Sequence, residues 1–491
     1  MTRLLPGLAA FTAAMLVALL GLYAQAGTPE PRSEPPSPTP RLVKLRLLGV
    51  NDLHGHLEPP RPGIGGAAWL KSHLDRAALP GHTIRVHAGD MVGATPLISS
   101  WFHDEPTIEA ANEIGFDVGT VGNHEFDEGG EELMRQLEGG PRSGPEALKP
   151  DVTGQLVNTS SPDFAGAAFP YIAANTVDRD GGLLLPPYEI VERAGVRVGF
   201  IGVTTRSTPT FLLARHAAPF RFTDISEAVN RWVPELRRRA VEAIVVLAHA
   251  GGPSQGESDE PDYVGEIIEE TRQMSSAVDV VVAGHSHSRI HVRLPNSDGS
   301  GDKLVVEALS YGVAYDLVDI VVDTRTGEVV SKAAEIPATG HEGVEADPGV
   351  AALVERYRQR VAPLADHVVG TTQAPLTRSG GELGQLVATA ERAFAGTDVA
   401  VVKPVSLRAD IDAGRVTYAE VAEALAFDHP VVRLRMNGRQ LRELIGDEAY
   451  VAGPDELDPD ASYSVAASEL IAAGGRKVGS ESQALAWFLA R

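Results

Sequence analysis

Hydrophobic positions come in short bursts, and polar positions gather between them. The apolar runs 45–50, 84–88, 118–121, 243–248 and 278–283 are only four to six residues long. Their length and their valine and isoleucine content read as buried strands. Amphipathic stretches with helical spacing separate them, so the alternation predicts an α/β layered fold. A boundary falls in the Gly-, Glu- and Pro-bearing stretch 336–348, followed by a connecting helix over 350–361 and a smaller α/β domain. The expected organisation is a signal peptide at 1–26, a proline-rich tether at 27–41 and a catalytic domain at 42–335. A linker with the connecting helix follows at 336–367, and a C-terminal domain at 368–491.

The signal peptide rests on the first charge pattern in the chain. Arg3 is the only charged residue before Glu30, an apolar run covers 4–23, and Ala24-Gln25-Ala26 offers small residues for cleavage after Ala26. The alternative is an uncleaved anchor, the one case in which a membrane partner is expected. Either way the chain is expected to be secreted, periplasmic or on the cell surface. Residues 27–40 carry six prolines, which makes them a tether and not a core segment.

Composition narrows the chemistry. A chain of 491 residues is too long for one ordinary domain. It has no cysteine, which excludes disulfides, thiolate metal sites and a cysteine nucleophile. Any transition metal must be held by His, Asp, Glu or Asn. The formal net charge of −23 repels nucleic-acid backbones, so no nucleic-acid partner is expected. An anionic small substrate would then need local positive charge, which bound metal ions can supply.

Each of the five apolar runs leads into a cluster that can bind metal: Asn51-Asp52-Leu53-His54, Gly89-Asp90, Gly122-Asn123-His124-Glu125-Phe126-Asp127, His249, and Gly284-His285-Ser286-His287. In α/β sheets, ligands bind outside the carboxyl ends of the strands, so five such ends can converge on one place. Strand alternation would put Asp52 and His54 on the same side, and likewise His285 and His287. Carboxylate, imidazole and amide donors suit two divalent cations of manganese, zinc, iron or magnesium. His56, His87 and His103 lie near these blocks and read as surface or supporting groups. Gly252-Pro253-Ser254-Gln255-Gly256 matches the nucleophile pattern of serine hydrolases, but an acidic loop follows it in place of a helix.

These blocks, in this order, resemble the calcineurin-like metallophosphoesterases. Asn51-Asp52-Leu53-His54-Gly55-His56, Gly93-Ala94-Thr95-Pro96-Leu97-Ile98-Ser99 and the Gly122–Asp127 block resemble the secreted 5′-nucleotidase and UDP-sugar hydrolase family. The resemblance implies a four-layer α/β/β/α catalytic domain and a smaller C-terminal α/β substrate domain. It implies that Asp52, His54, Asp90 and His287 hold one metal. Asp90, Asn123, His249 and His285 would hold the other, with a bridging water or hydroxide for in-line attack on phosphorus. His124, oriented by Asp127, would face the phosphate.

In the second domain the family binds a nucleoside between two aromatic rings, with arginines around it. Arg408, Phe427 and Arg378 lie at or near matching positions. Lys403, Leu470 and Arg476 depart from the pattern, and the two basic residues point to a more anionic or non-nucleoside substrate. The expected activity is hydrolysis of a phosphate ester, a nucleotide first. UDP-sugars, cyclic nucleotides and other phosphate or sulfur esters are alternatives, as is a non-catalytic metal- or ligand-binding surface protein.

Overall fold

The computed structural model describes residues 41–491 except 152, 253 and 256–261. The expected signal segment and the tether up to residue 40 lie outside the described residues, as does part of the Gly252–Gly256 stretch. No helix among the described residues is long and apolar enough to cross a membrane.

Two six-stranded sheets stack face to face. The first runs Glu328–Glu335, Asp316–Asp323, Leu42–Val50, Thr83–His87, Val118–Thr120, Tyr171–Ile172. The second runs Arg289–Pro295, Asp302–Ala308, Val280–Ala283, Ala243–His249, Val196–Thr204, Tyr188–Arg193. Leu45, Leu47, Ile84 and Val86 of the first meet Phe200, Val245, Leu247 and Val282 of the second in one buried core. Opposite faces are covered by helices. Leu70, Leu74, Ala111, Ile114 and Leu133 pack on the first sheet, and Ile225, Val229, Leu236 and Ile267 on the second. That is the expected α/β/β/α order. All seven residues of Ala243–His249 are buried, because parallel neighbours flank the strand and both faces are covered.

The inner strands Leu42–Val50, Thr83–His87 and Val118–Thr120 are mutually parallel, and so are Val196–Thr204, Ala243–His249 and Val280–Ala283. Their carboxyl ends therefore lie level, with Val50 registered on His87, His87 on Gly119, and Ala248 on Ala283. Every metal-capable block leaves from this one edge.

The connecting helix runs Pro348–Ala365 and brackets the predicted 350–361. It starts earlier because Asp347 accepts the Gly349 and Val350 N–H groups and Pro348 occupies the first turn. Its buried side, Val350, Leu353, Val354, Tyr357, Val361 and Leu364, packs against Leu57, Leu97, Trp101 and Phe102. Beyond it a five-stranded sheet runs Tyr450–Ala452, Val399–Val402, Ser462–Ser468, Pro430–Asn437, Arg476–Ser480. Leu383, Val387 and Leu485 from the helices Glu382–Ala395 and Glu481–Leu489 cover one of its faces.

Candidate metal centre

Two groups of side chains gather at the shared strand edge, Asp52 with His54 and His287, and Asp90 with His249 and His285. His54 Nε2 lies 3.7 Å from Asp90 Oδ2, so the two groups adjoin. Asn123 joins the second, its Oδ1 3.1 Å from His249 Nε2. All seven residues expected from the sequence are thus brought together.

The way they converge differs from the expectation. Asp52 and His54 are not strand residues, and strand alternation does not align them. Backbone φ is +49° at Asp52, +46° at His54, +50° at Asp90, +78° at His285 and +54° at His287. A left-handed backbone at a non-glycine residue costs on the order of 1–3 kcal/mol. Five together rival the net stability of a domain, of order 5–15 kcal/mol, so the surrounding contacts must hold them. Tight left-handed turns, not pleats, aim these side chains inward. Glycines permit the close approach: a Cβ on Gly122 would lie 2.1 Å from Asp90 Oδ1, and one on Gly251 would lie 2.4 Å from Ser286 Cβ.

The donor set fits cations on an internal test. His54 Nδ1 meets the Gly93 carbonyl at 2.8 Å, and His249 Nδ1 meets the Ala88 carbonyl at 2.8 Å. A carbonyl only accepts, so each Nδ1 carries the proton and each Nε2 turns a lone pair inward. The His54 lone pair faces His287 Nε2 at 3.2 Å and two carboxylates. The His249 Nε2 faces Asp90 Oδ2 at 3.0 Å and the Asn123 amide oxygen. Acceptors facing acceptors in a buried site demand a positive charge between them, and carbonyl-anchored imidazoles are the usual support for a bound metal. Without a metal, a proton fills the demand at His249. Burial opposes charging, but Asp90 outweighs it and pushes the imidazole up to about 10. Asp90 stays well below the ordinary carboxylate range despite burial, because His249 and His124 favour its charged form.

Sequence reasoning missed two buried carboxylates that fix the loops. Glu125 accepts N–H groups from Asp90 at 3.0 Å, Met91 at 2.9 Å and Gly122 at 2.5 Å, joining two ligand loops. Glu307 accepts the Ser286 hydroxyl at 2.8–2.9 Å and the Ser288 N–H at 2.9 Å. Ser286 Oγ also accepts the Gly252 N–H at 3.3 Å, which ties the His285–His287 turn to the loop after His249. The available signal was an acid inside an apolar run, Leu304-Val305-Val306-Glu307-Ala308.

His124 and Asp127 pair as expected, Nδ1 to Oδ2 at 2.8 Å, within the single 3₁₀ turn that begins at His124. The His124 N–H donates to Asp90 Oδ1 at 2.9 Å. Burial resists its protonation, but Asp127 and then Asp90 outweigh it and raise the imidazole to about 8. Phe427 reaches across from the C-terminal domain, its ring 5.4 Å from that of His124, and the Arg408 guanidinium sits 5.2 Å over Phe427. Arg408 also donates to the Tyr311 hydroxyl at 3.4 Å. A cavity of about 380 Å³ opens beside His287, lined by His56, Arg61, Tyr311, Arg408 and Glu423 among others. Arg378 is not brought to this cluster; it is half exposed and pairs with Asp410 at 3.3 Å.

Other sequence expectations are corrected. His87 and His103 are buried, not on the surface. His87 stands among Phe116, Phe169 and Tyr171, where burial lowers it to about 3. His103 Nδ1 meets Arg142 Nη1 at 2.8 Å. His56 packs on Tyr311 with ring centroids 4.0 Å apart. Lys403 turns to the Ile445 carbonyl at 2.8 Å, and Arg476 lines a different cavity with Arg433 and Arg435. Neither adds charge to the metal-side cavity.

Fold and site together place a His/Asp/Asn cluster able to hold metal at the carboxyl edge of a four-layer α/β/β/α domain. A family model described as calcineurin-like phosphoesterase matches residues 45–289, and one described as 5′-nucleotidase, C-terminal domain matches residues 364–456. The chain belongs to the calcineurin-like phosphoesterases that carry a 5′-nucleotidase C-terminal domain. It is 32% identical over 480 residues to Endonuclease YhcR of Bacillus subtilis, covering 88% of this chain and 37% of that protein. It is 29% identical over 457 residues to Cell wall protein Lmo0130 of Listeria monocytogenes, covering 83% of this chain and 56% of that one. The chain thus spans between a third and somewhat over half of these relatives' lengths. The crystal structure of a 5′-nucleotidase precursor from Thermus thermophilus matches with a TM-score of 0.73 at 23% identity, covering 91% of this chain and 96% of that one. That likeness shows the fold.

Proposed function

We propose that this chain is an exported, metal-dependent phosphoester hydrolase acting on nucleotide phosphate esters. The observation that carries the reading is the pair of carbonyl-anchored imidazoles, His54 and His249, whose inward lone pairs face carboxylates beside the His124–Asp127 pair. Family membership supports the reaction class, and the names of its relatives support a nucleotide substrate. The apolar run 4–23 and the name of the Listeria relative, a cell wall protein, support export.

Asp52, His54, Asp90 and His287 would hold one divalent cation, and Asp90, Asn123, His249 and His285 a second. When bound, such ions acidify water and offset the charge of phosphoryl oxygens. The rest falls to the chain's own groups. Asp127 accepts the Nδ1–H of His124 and favours the doubly protonated ring, raised to about 8, whose Nε2–H can donate to a phosphoryl or leaving oxygen. Arg408 supplies a guanidinium to the same cavity, and Phe427 an apolar face for a base. Arg378, joined to the Arg408 loop through Asp410, acts as a positioning group.

The test is phosphate release by the manganese- or zinc-loaded chain from AMP, UDP-glucose, a cyclic nucleotide and an aryl phosphate, with Asp90→Ala as control. AMP turnover well above the aryl ester, abolished in Asp90→Ala, is the expected result. Aryl turnover without nucleotide preference would remove the nucleotide assignment. Silence across the panel with metals bound would overturn the hydrolase.

A further inference from the structure

The C-terminal sheet carries a second concentration of positive charge that the metal centre does not use. Arg433 and Arg435 lie two residues apart on the strand Pro430–Asn437, so both point to one face. Arg476, on the edge strand Arg476–Ser480, is registered directly opposite Arg433. With Ser464 the three arginines line a cavity of about 350 Å³.

This face lies at the far end of the sheet from the metal centre. Arg435 pairs in register with Ser464, and the Asp398 N–H donates to the Ser464 carbonyl at 3.0 Å. Asp398 precedes the strand Val399–Val402, whereas Lys403 to Arg408 follow it and lead to the metal-side cavity. A strand's length separates the two cavities.

Three features set this cluster apart from an ordinary solvated face. Like charges directly opposite across a strand pair destabilise a sheet, and Arg433 and Arg476 are such a pair. The chain has 66 acidic residues against 43 basic ones, so carboxylate partners abound. Yet among the described residues none of the three arginines makes an ion pair, while Arg46, Arg135, Arg206, Arg358 and others do. Asp398, a carboxylate on this face, feels the charge of Arg435, which helps hold its charged form, but it is not within ion-pair distance and turns its Oδ2 to the Ser464 N–H at 2.8 Å and hydroxyl at 2.7 Å. Donor accounting agrees. Three guanidiniums offer about fifteen N–H donors. Their one described protein acceptor is the Ala395 carbonyl, at a long 3.5 Å from Arg433 Nη1.

We propose that Arg433, Arg435 and Arg476 form a second anion site, separate from the metal centre, that takes a phosphate-bearing small anion. Guanidinium forks match carboxylate and phosphate oxygens in pairs. A carboxylate has two oxygens and satisfies one fork; a tetrahedral phosphate presents several edges and can meet three. Binding would also remove the repulsion across the strand pair. The site stands independently of what the metal centre hydrolyses.

The test uses the full chain treated with chelator, so that phosphate cannot be held through metals. Inorganic phosphate and tripolyphosphate are titrated by calorimetry at low ionic strength into the wild type, Arg433→Gln/Arg476→Gln and Arg408→Gln. Saturable one-site binding is expected in the wild type and in Arg408→Gln, weakened by roughly tenfold or more in the double variant. Tighter binding of tripolyphosphate would identify an oligophosphate ligand, and equal affinity a single phosphoryl group. Thermal melts give a second readout. In anion-free buffer Arg476→Gln should melt above the wild type, and added phosphate should raise the wild type and Arg408→Gln but not the double variant. Undiminished binding in the double variant, loss of binding in Arg408→Gln, or no saturable binding in the wild type would each overturn the proposal.

Discussion

His124 shows how three neighbours make one imidazole useful. Asp127 takes its Nδ1, Asp90 takes its backbone N–H, and Phe427 stands beside its ring. The role proposed for it, as donor to a phosphoryl or leaving oxygen, implies a specific result. His124→Ala should lower kcat by about 10²–10³-fold, the usual scale for a lost general acid, with metal content unchanged. Asp127→Asn should lose less, since the ring remains. Turnover with metal analysis of the same sample decides it; parallel loss of metal and activity would make His124 structural. At this scale the sequence revealed the chemistry better than the geometry. The pair at i and i+3 was legible because one helical-type turn suffices to join it. Asp52 and His54 were legible as ligand types, but their left-handed backbones leave no mark on non-glycine residues. His87 was set apart from the site histidines as a surface or supporting group, but its burial was not legible, because only three-dimensional packing shows the aromatic box around it.

The strands were the most legible elements, since a strand covered on both faces must be apolar throughout, as Ala243–His249 is. What the elements need in order to work was less visible. The ligand turns carry strain, and one of the acids that hold them sits inside a run that looks like plain core. Glu307 is the clearest case. It is fully buried, it accepts two groups from the turn bearing His285 and His287, and through Ser286 it reaches the loop after His249. Removing it leaves buried donors unmet and frees the turn. Glu307→Ala should therefore weaken metal affinity by about 10–100-fold, the scale of lost support behind a metal ligand. Glu307→Gln, which keeps a carbonyl acceptor, should lose less. Competitive metal titration measures the effect, with far-UV circular dichroism showing that the sheet persists. Equal affinity in wild type and Glu307→Ala would mean that the turn holds its shape unaided.

Across the whole molecule, buried ionisable groups set a pH dependence that metal should change in part. Glu125, His124 and Asp279 are also raised, to about 7, 8 and 6, and two further groups show how metal divides the effect. His249 is raised to about 10 from an ordinary 6.5, because Asp90 outweighs burial. The stability from its proton is thus complete below pH 6.5 and is lost as pH climbs towards 10. Glu481, far along the chain in the C-terminal domain, is raised to about 8 from 4.5, chiefly by burial and then by Asp428. The folded chain again binds the extra proton, so its share is complete below 4.5 and lost as pH climbs towards 8. Both groups make the metal-free chain most stable at mildly acidic pH. A tenfold change in proton affinity on folding is worth about 1.4 kcal/mol, so the combined loss by pH 9 is on the order of several kcal/mol. A cation between His249 and Asp90 replaces the His249 proton and should abolish the His249 share of the loss, between about pH 6.5 and 10, while leaving the Glu481 share. Melting temperatures at pH 5, 7 and 9, with manganese and with chelator, separate the two. The expected pattern is parallel decline from pH 5 to 7 and divergence from 7 to 9, with the metal-loaded chain the more stable. Parallel curves throughout would place the metal away from His249.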